Sequence, residues 1–266
     1  MRTVLAFALG AALLARADDG FLHNGVTAHR GNADACPENT LPAFESALAL
    51  GADWIETDVC VTKDHRLVLS HDKDTGRTGD RRLVIAEATY AELQSVDVAA
   101  GFRARKGLTP AQCPPARMPL LEEALALIAR QHRTRLSLHP KAPCVPEIVD
   151  AVRALKAEPW IGFNDGSLNT LRQAKTLVKG VPVFWDRNAD ADLAHDIVLA
   201  RDVGVESLVV HAKGLTGEKA AAVRRAGLEV GVWTVNDAAA LEAFLALGVQ
   251  RVYTDCPERL LRLKAR

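Results

Sequence analysis

The sequence has no surplus of charge of either sign. Lysine plus arginine and aspartate plus glutamate both number 33, so the formal net charge is zero. Nucleic-acid binding through backbone phosphates needs a basic excess or a basic stripe, and no run of like charge supplies one, so nucleic acid is not expected as a partner. None of the five cysteines, Cys36, Cys60, Cys113, Cys144 and Cys256, stands in a Cys-x-x-Cys pair. That argues against a structural zinc site, and the odd number leaves at least one thiol over wherever disulfides form. No Gly-x-Gly-x-x-Gly follows the first apolar run, which removes the main reason to expect a dinucleotide fold. Internal repeats and low-complexity stretches are absent. After the N-terminus no segment is apolar enough to span a bilayer, so stable membrane insertion is not expected.

The N-terminus itself reads as an export signal. Arg2 supplies a positive start, Thr3 to Leu14 is an apolar run too short for a membrane span, and Ala15-Arg16-Ala17 is a small-residue cleavage signal. Residues 1–17 are therefore expected to be a signal peptide. The mature chain, 18–266, would be periplasmic or secreted. Cleavage removes Arg2 and Arg16 and no acid, leaving the mature chain slightly acidic.

The remainder is rich in apolar residues, 48% of the chain, enough for one sizeable core. Short β-branched runs alternate with Ala/Leu-rich segments. Strands are expected over 26–29, 54–61, 135–138, 160–163, 181–185, 207–210, 228–235 and 251–254. Helices are expected over 41–50, 120–131, 146–155, 168–177, 193–202, 216–225, 238–247 and 257–264. The first helix enters through Thr40 with Pro42 in its first turn and closes at Gly51. Thr216 caps a later one. Eight strands in strict alternation with helices imply a parallel sheet closed into a (β/α)₈ TIM barrel, with an open doubly wound sheet as the alternative. The stretch between His71 and Pro119 breaks the rhythm, with many Arg, Gly, Thr and Pro residues and no long helix. It reads as a small insertion, about 72–118, after the second barrel strand, led by a short strand over 67–70. In a barrel that loop lies on the catalytic face, where it would cover the site.

Barrel enzymes keep their catalytic groups at the C-terminal ends of strands, so the polar residues there are the candidates. The first strand ends in His29-Arg30-Gly31. The second carries Glu56 and Asp58, two apart and hence on one face. The insertion strand ends in His71-Asp72, the third barrel strand in His139-Pro140-Lys141, the seventh in Trp233-Thr234-Val235-Asn236 and the eighth in Thr254-Asp255. Two carboxylates on one strand face repel unless a cation lies between them, and oxygen ligands suit Mg²⁺ or Ca²⁺. Arg and Lys beside them suit a phosphate. Two imidazoles can serve as base and acid near neutral pH. Taken singly, a Glu-x-Asp pair is more often a solvated strand end, a lone His a hydrogen-bonded structural residue and a Trp part of the core. Their coincidence on one face points to metal-assisted phosphoester cleavage.

The same residues resemble the glycerophosphodiester phosphodiesterase family. The resemblance runs through His29-Arg30-Gly31, Pro37-Glu38-Asn39-Thr40-Leu41 and Ala43-Phe44. It continues through Gly51-Ala52-Asp53, Glu56-x-Asp58-Val59, Thr62-Lys63-Asp64 and His71-Asp72. It ends with Gly227-Leu228, Val232-Trp233-Thr234-Val235-Asn236, Gly248-Val249 and Thr254-Asp255-x-Pro257. The resemblance implies a (β/α)₈ barrel with a small inserted subdomain. It also implies hydrolysis of small-molecule glycerophosphodiesters to sn-glycerol 3-phosphate and an alcohol. It assigns His29 and His71 as the acid/base pair, Glu56 and Asp58 as ligands of a divalent metal ion, Mg²⁺ or Ca²⁺, Arg30 and Lys141 as phosphate contacts, and Trp233 as a wall of the pocket. In the family mechanism a glycerol hydroxyl attacks phosphorus and water then opens a cyclic phosphate. One position departs. The family pattern Glu-x-Lys, whose Glu is a third metal ligand, is His139-Pro140-Lys141 here, which makes His139 a candidate ligand and a transition metal a candidate ion. Two other functions compete: a phospholipase D-like enzyme acting on lysophospholipids at membranes, and a non-catalytic phosphodiester-binding protein. The insertion's Arg77, Arg81, Arg82, Arg103, Arg105 and Lys106 come with few large apolar residues, which favours a soluble diester.

Overall fold

The computed structural model describes residues 22–265; the expected signal peptide lies outside them. Nine strands form one sheet: β1 (Val26–His29), β2 (Trp54–Val61), β3 (Leu67–Leu69), β4 (Arg135–Pro140), β5 (Ile161–Asp165), β6 (Val183–Arg187), β7 (Ser207–His211), β8 (Glu229–Trp233) and β9 (Arg251–Thr254). All but β3 are parallel, and β1 pairs with both β9 and β2, which closes eight strands into a barrel. Among the described residues ten α-helices accompany them: α1 (Leu41–Leu50), α2 (Tyr90–Leu93), α3 (Ala100–Lys106), α4 (Leu121–Ile128), α5 (Val145–Ala154), α6 (Leu168–Leu177), α7 (Leu193–Val203), α8 (Gly217–Arg225), α9 (Ala238–Ala246) and α10 (Pro257–Lys264). The TIM-barrel reading of the sequence holds.

Because strand side chains alternate between faces, β2 serves two cores at once. Ile55 and Val59 join the main apolar cluster with Phe44, Leu125 and Ile148 of the surrounding helices. Trp54 lies inside the barrel with Phe184, Val209 and Tyr253. At the N-terminal ends of the strands the interior is closed by an ion pair of the buried Arg251 with the half-buried Glu229. The Arg251 guanidinium stacks 3.8 Å above the Phe184 ring, an arrangement that offsets part of its desolvation.

The helix ends follow their local chemistry. Thr40 accepts from the Ala43 amide, Pro42 occupies the first turn, and Gly51 adopts φ +74° to return its N–H to Ala47 and Leu48. Thr216 caps α8 in the same way. Several bounds differ from the sequence expectation. The helix expected over 120–131 stops at Ile128, because the Gln131 amide turns back to donate to the carbonyls of Ile128 and Thr134. Strands β4, β5 and β6 extend past the polar residues at which the apolar runs end, and β7 reaches the first of them, His211.

Between β3 and α4 the chain leaves the barrel. Strand β3 pairs antiparallel with β2, and Val68, Ile85, Leu93, Val96 and Met118 form a small separate core there. Asp97 accepts the amides of Ala99 and Ala116 and pairs with Arg103, tying the segment together. Two ion pairs fasten it to the β1–α1 loop, Arg77 with Glu38 and Lys106 with Asp34.

Candidate active site

At the C-terminal ends of the strands is a cavity of about 310 Å³. Its wall includes His29 and Arg30 from the end of β1, Glu56 and Asp58 from β2, His71 after β3, His139 from β4 and Trp233 from β8. Seven of the eight residues singled out in the sequence therefore share one cavity. The eighth, Lys141, does not line it; its ammonium is 3.1 Å from Asp58 Oδ1.

The turn after β1 explains its motif. Arg30 takes φ +59°, in the left-handed region, and its amide donates to Glu56 Oε2 at 3.2 Å. Gly31 follows at φ +85°, where a Cβ would come within 2.7 Å of the Ala43 Cβ, so both sterics and dihedral demand glycine. Strain held at such a position marks a site whose geometry the surroundings enforce. Asn39, at φ +54°, is a second such residue. Its amide nitrogen donates to Asp58 Oδ2 at 2.9 Å, while its oxygen accepts from the Thr57 hydroxyl and the Asp58 amide.

Glu56 and Asp58 are both buried. Burial alone would raise the Asp58 pKa, but Lys141, His139 and Arg30 outweigh it and hold the carboxyl well below its ordinary value. His139 Nδ1 lies 3.5 Å from Asp58 Oδ1 and 3.7 Å from Glu56 Oε1. One donor atom from each of Glu56, Asp58 and His139 falls within 4.8 Å of the others, a group that could hold a metal ion. Two carboxylates and an imidazole are donors a divalent cation accepts, so the residues present fit one.

The two candidate acid/base histidines are mounted alike. His29 Nδ1 meets Asp255 Oδ1 at 2.7 Å. Asp255 is itself held by the Asn236 side chain at 2.6 Å. His71 Nδ1 meets Asp72 Oδ1 at 2.7 Å. Asp72 in turn accepts from Arg77, whose fork also engages Glu38. In each case an aspartate fixes Nδ1 and leaves Nε2 as the nitrogen for chemistry. Burial disfavours the charged form of His29, but the Asp255 hydrogen bond and the Glu56 carboxylate more than compensate, so its pKa is raised. Arg30 is clamped between Glu38 Oε1 at 2.8 Å and Asp58 Oδ2 at 3.5 Å. Trp233 meets its ladder neighbour His211 edge to face, ring centroids 5.0 Å apart, and its indole N–H donates to the Arg187 carbonyl.

The sequence reading missed part of this wall. The half-buried Asp186 lies in the cavity at the end of β6, linked through Asn164 to Ser137 (Asn164 Nδ2 to Asp186 Oδ2, 3.0 Å; Ser137 Oγ to Asn164 Oδ1, 2.7 Å). Burial pushes the Asp186 carboxyl up to about 6, with Glu56 and Asp165 adding to the rise and His139 and Asn164 opposing it. The signal was available: Asn164 and Asp186 are polar residues at C-terminal strand ends. They follow the expected strands 160–163 and 181–185 directly, just as His139 follows 135–138, but belong to no motif of the family resemblance.

Among the described residues the exposed large apolar side chains are Leu155 and Val198, neither of which lines the cavity. No described helix is long and apolar enough to cross a membrane. The five cysteines are free thiols.

Comparison with known proteins agrees with this geometry. The profile of the Glycerophosphoryl diester phosphodiesterase family matches residues 29–259. A glycerophosphodiester phosphodiesterase of Bacillus altitudinis is 28% identical over 248 residues, covering 90% of this chain and 97% of its own. Among solved structures, an Oleispira antarctica phosphodiesterase in complex with the product sn-glycerol-3-phosphate superposes with a TM-score of 0.78 at 23% identity, over 92% of this chain and 98% of that one. A glycerophosphodiester phosphodiesterase of Agrobacterium tumefaciens superposes with a TM-score of 0.74 at 22% identity, over 90% and 99%. At those identities the two structures speak for the shared barrel.

Proposed function

The chain belongs to the glycerophosphoryl diester phosphodiesterase family, and from that membership we propose that its cavity hydrolyses glycerophosphodiesters to sn-glycerol 3-phosphate and an alcohol. The observation that carries the reading is the convergence on one cavity of the Glu56–Asp58–His139 group with two aspartate-held histidines, His29 and His71. Phosphodiester cleavage needs those parts: a charge to meet the phosphate, a base for the nucleophile and an acid for the leaving oxygen.

The division of labour follows from position. Glu56, Asp58 and His139 hold a divalent cation, which when bound supplies Lewis-acid stabilisation of the phosphate. An imidazole in place of a third carboxylate lowers the anionic charge at the ion. That shifts preference from Ca²⁺ and Mg²⁺ toward Zn²⁺, Fe²⁺, Co²⁺ and Ni²⁺, with Mn²⁺ tolerated. Arg30 and Lys141, now paired with acids, turn part of their donor capacity to phosphate oxygens when a diester enters. Trp233 forms the apolar wall for the glycerol carbons. His29 and His71 exchange protons through Nε2 with the attacking and departing oxygens, one as base and the other as acid. Residues 1–17 direct export and are removed, so that the enzyme works in the periplasm or outside the cell; residues 72–118 form the inserted subdomain over the site.

The test is product analysis. Purified protein and glycerophosphoglycerol are expected to give sn-glycerol 3-phosphate and glycerol in equal amounts, read by ³¹P NMR and an enzymatic assay. Release of inorganic phosphate, or no turnover with any divalent ion, would overturn the reading. Export is checked by N-terminal sequencing of protein from its host, where a start near Asp18 is expected and an intact Met1 contradicts it.

A further inference from the structure

A second cavity, of about 550 Å³, shares His29 and Arg30 with the catalytic one. The Glu56–Asp58–His139 group lines only the first. The second lies between the β1–α1 loop, helix α3 of the insertion and the start of α10, and it contains Arg105, Lys106 and Arg259. A diester held at the metal-ligand group, with its phosphorus beside His29, therefore has a ready-made space on the other side of that imidazole.

The charges of this space do not cancel. Its carboxylates are Asp34, Glu38 and Asp255, and each is already engaged: Asp34 by Lys106 at 2.6 Å, Glu38 by Arg30 at 2.8 Å, Asp255 by His29 at 2.7 Å. Arg105 and Arg259 are left over. The Arg259 guanidinium donates to the Asn236 carbonyl, and the Arg105 guanidinium lies 5.4 Å from the Phe102 ring centroid. Neither contact neutralises the charge. No Trp, Tyr or Phe side chain lines the cavity, so the aromatic face that recognises a quaternary ammonium is missing along with any free carboxylate. The wall repels a cationic head group and attracts an anionic one.

Resting on the hydrolase reading above, we propose that this second cavity receives the departing alcohol and selects diesters whose alcohol bears a phosphate, with Arg105 and Arg259 as the recognising side chains. Two planar guanidinium forks match phosphate oxygens, and both side chains stand outside the barrel core, where substitution leaves packing alone.

The experiment compares kcat/KM for four diesters: glycerophosphocholine, glycerophosphoglycerol, glycerophosphoglycerol carrying a 3′-phosphate, and bis(glycerophospho)glycerol, whose alcohol carries a phosphodiester. At low ionic strength both phosphate-bearing substrates are expected to exceed glycerophosphoglycerol by about tenfold, with glycerophosphocholine the poorest. The dianionic monoester should lead if a terminal phosphate is the natural group, and the diester if a linked one is. In the double variant Arg105→Gln/Arg259→Gln the ratio of phosphate-bearing to neutral substrate should fall toward one, and added salt should lower it in the parent. Turnover of the neutral or choline diester as fast as the phosphate-bearing ones, or an unchanged ratio in the double variant, overturns this inference alone. No turnover of any of the four overturns the hydrolase reading beneath it.

Discussion

Asp58 and His139 are direct neighbours across the β2–β4 ladder, with His139 Nδ1 3.5 Å from Asp58 Oδ1. The pairing register thus delivers an imidazole to the carboxylate pair at the position where the family pattern places a glutamate. His139→Glu should restore a third anionic oxygen. It should raise Mg²⁺ or Ca²⁺ affinity by about tenfold or more, the scale of one charge-assisted contact, and weaken discrimination in favour of Zn²⁺ and Ni²⁺. Isothermal titration calorimetry on the metal-free protein reads this without reference to activity. A variant that binds every ion as the parent does would remove His139 from the ligand set.

His29→Ala and His71→Ala should each cut kcat by about a hundredfold or more, as expected for general acid–base groups. Asp255→Ala should cost less than His29→Ala, since it releases the ring without deleting it, and the two effects should not add because they act through one proton. Additive losses in the double variant would mean that Asp255 does something other than orient His29.

His29, Glu56, Asp58, His71, His139 and Trp233 are legible because each lies within or just after a short apolar run and falls in a recognisable motif. Asp186 and Asn164 sit at equivalent places, just past the apolar runs of β5 and β6, which the barrel ladder carries on to Asp165 and Arg187, but no metal-ligand spacing or motif sets these two polar residues apart from ordinary strand ends. The orienting contacts depend on distance in the fold: Asp255 reaches His29 from 226 residues away, and Arg77 reaches Glu38 from 39. No local pattern encodes those pairings. The closed barrel, by contrast, follows from eight strands in alternation with helices, which the sequence displays openly.

The barrel's closed end makes a stability prediction. Glu229→Gln leaves the Arg251 guanidinium buried between Trp54 and Phe184 without its carboxylate. Removing the partner of a buried charge should cost about 3 kcal/mol, measured by urea unfolding followed by circular dichroism. A loss below about 1 kcal/mol would mean that water reaches Arg251.

The insertion should loosen in acid. Asp97 is held below its ordinary pKa, its burial outweighed by Arg103 and by the amides of Ala116 and Ala99. The unfolded segment therefore binds the proton more readily than the folded one. The contribution is complete above the ordinary aspartate range and is lost as pH falls through the lowered folded value. Limited proteolysis within residues 72–118 by an acid-active protease should quicken below about pH 4 while the barrel stays resistant. At neutral pH a neutral-active protease should nick the Asp97→Ala variant more readily than the parent, and equal resistance of the two would exclude Asp97 as the clasp.

The most direct measurement of the central claim is sn-glycerol 3-phosphate release from glycerophosphoglycerol by exhaustively chelated protein, followed by titration with single divalent ions, for the parent and for Asp58→Asn. The parent should be inactive after chelation and regain turnover saturably with added ion. Asp58→Asn, which keeps the shape and deletes a charge, should need at least about tenfold more ion for the same recovery. Full turnover by the chelated parent, or an identical ion requirement in the two proteins, would contradict the assignment of Glu56, Asp58 and His139 as the centre at which the diester is cleaved.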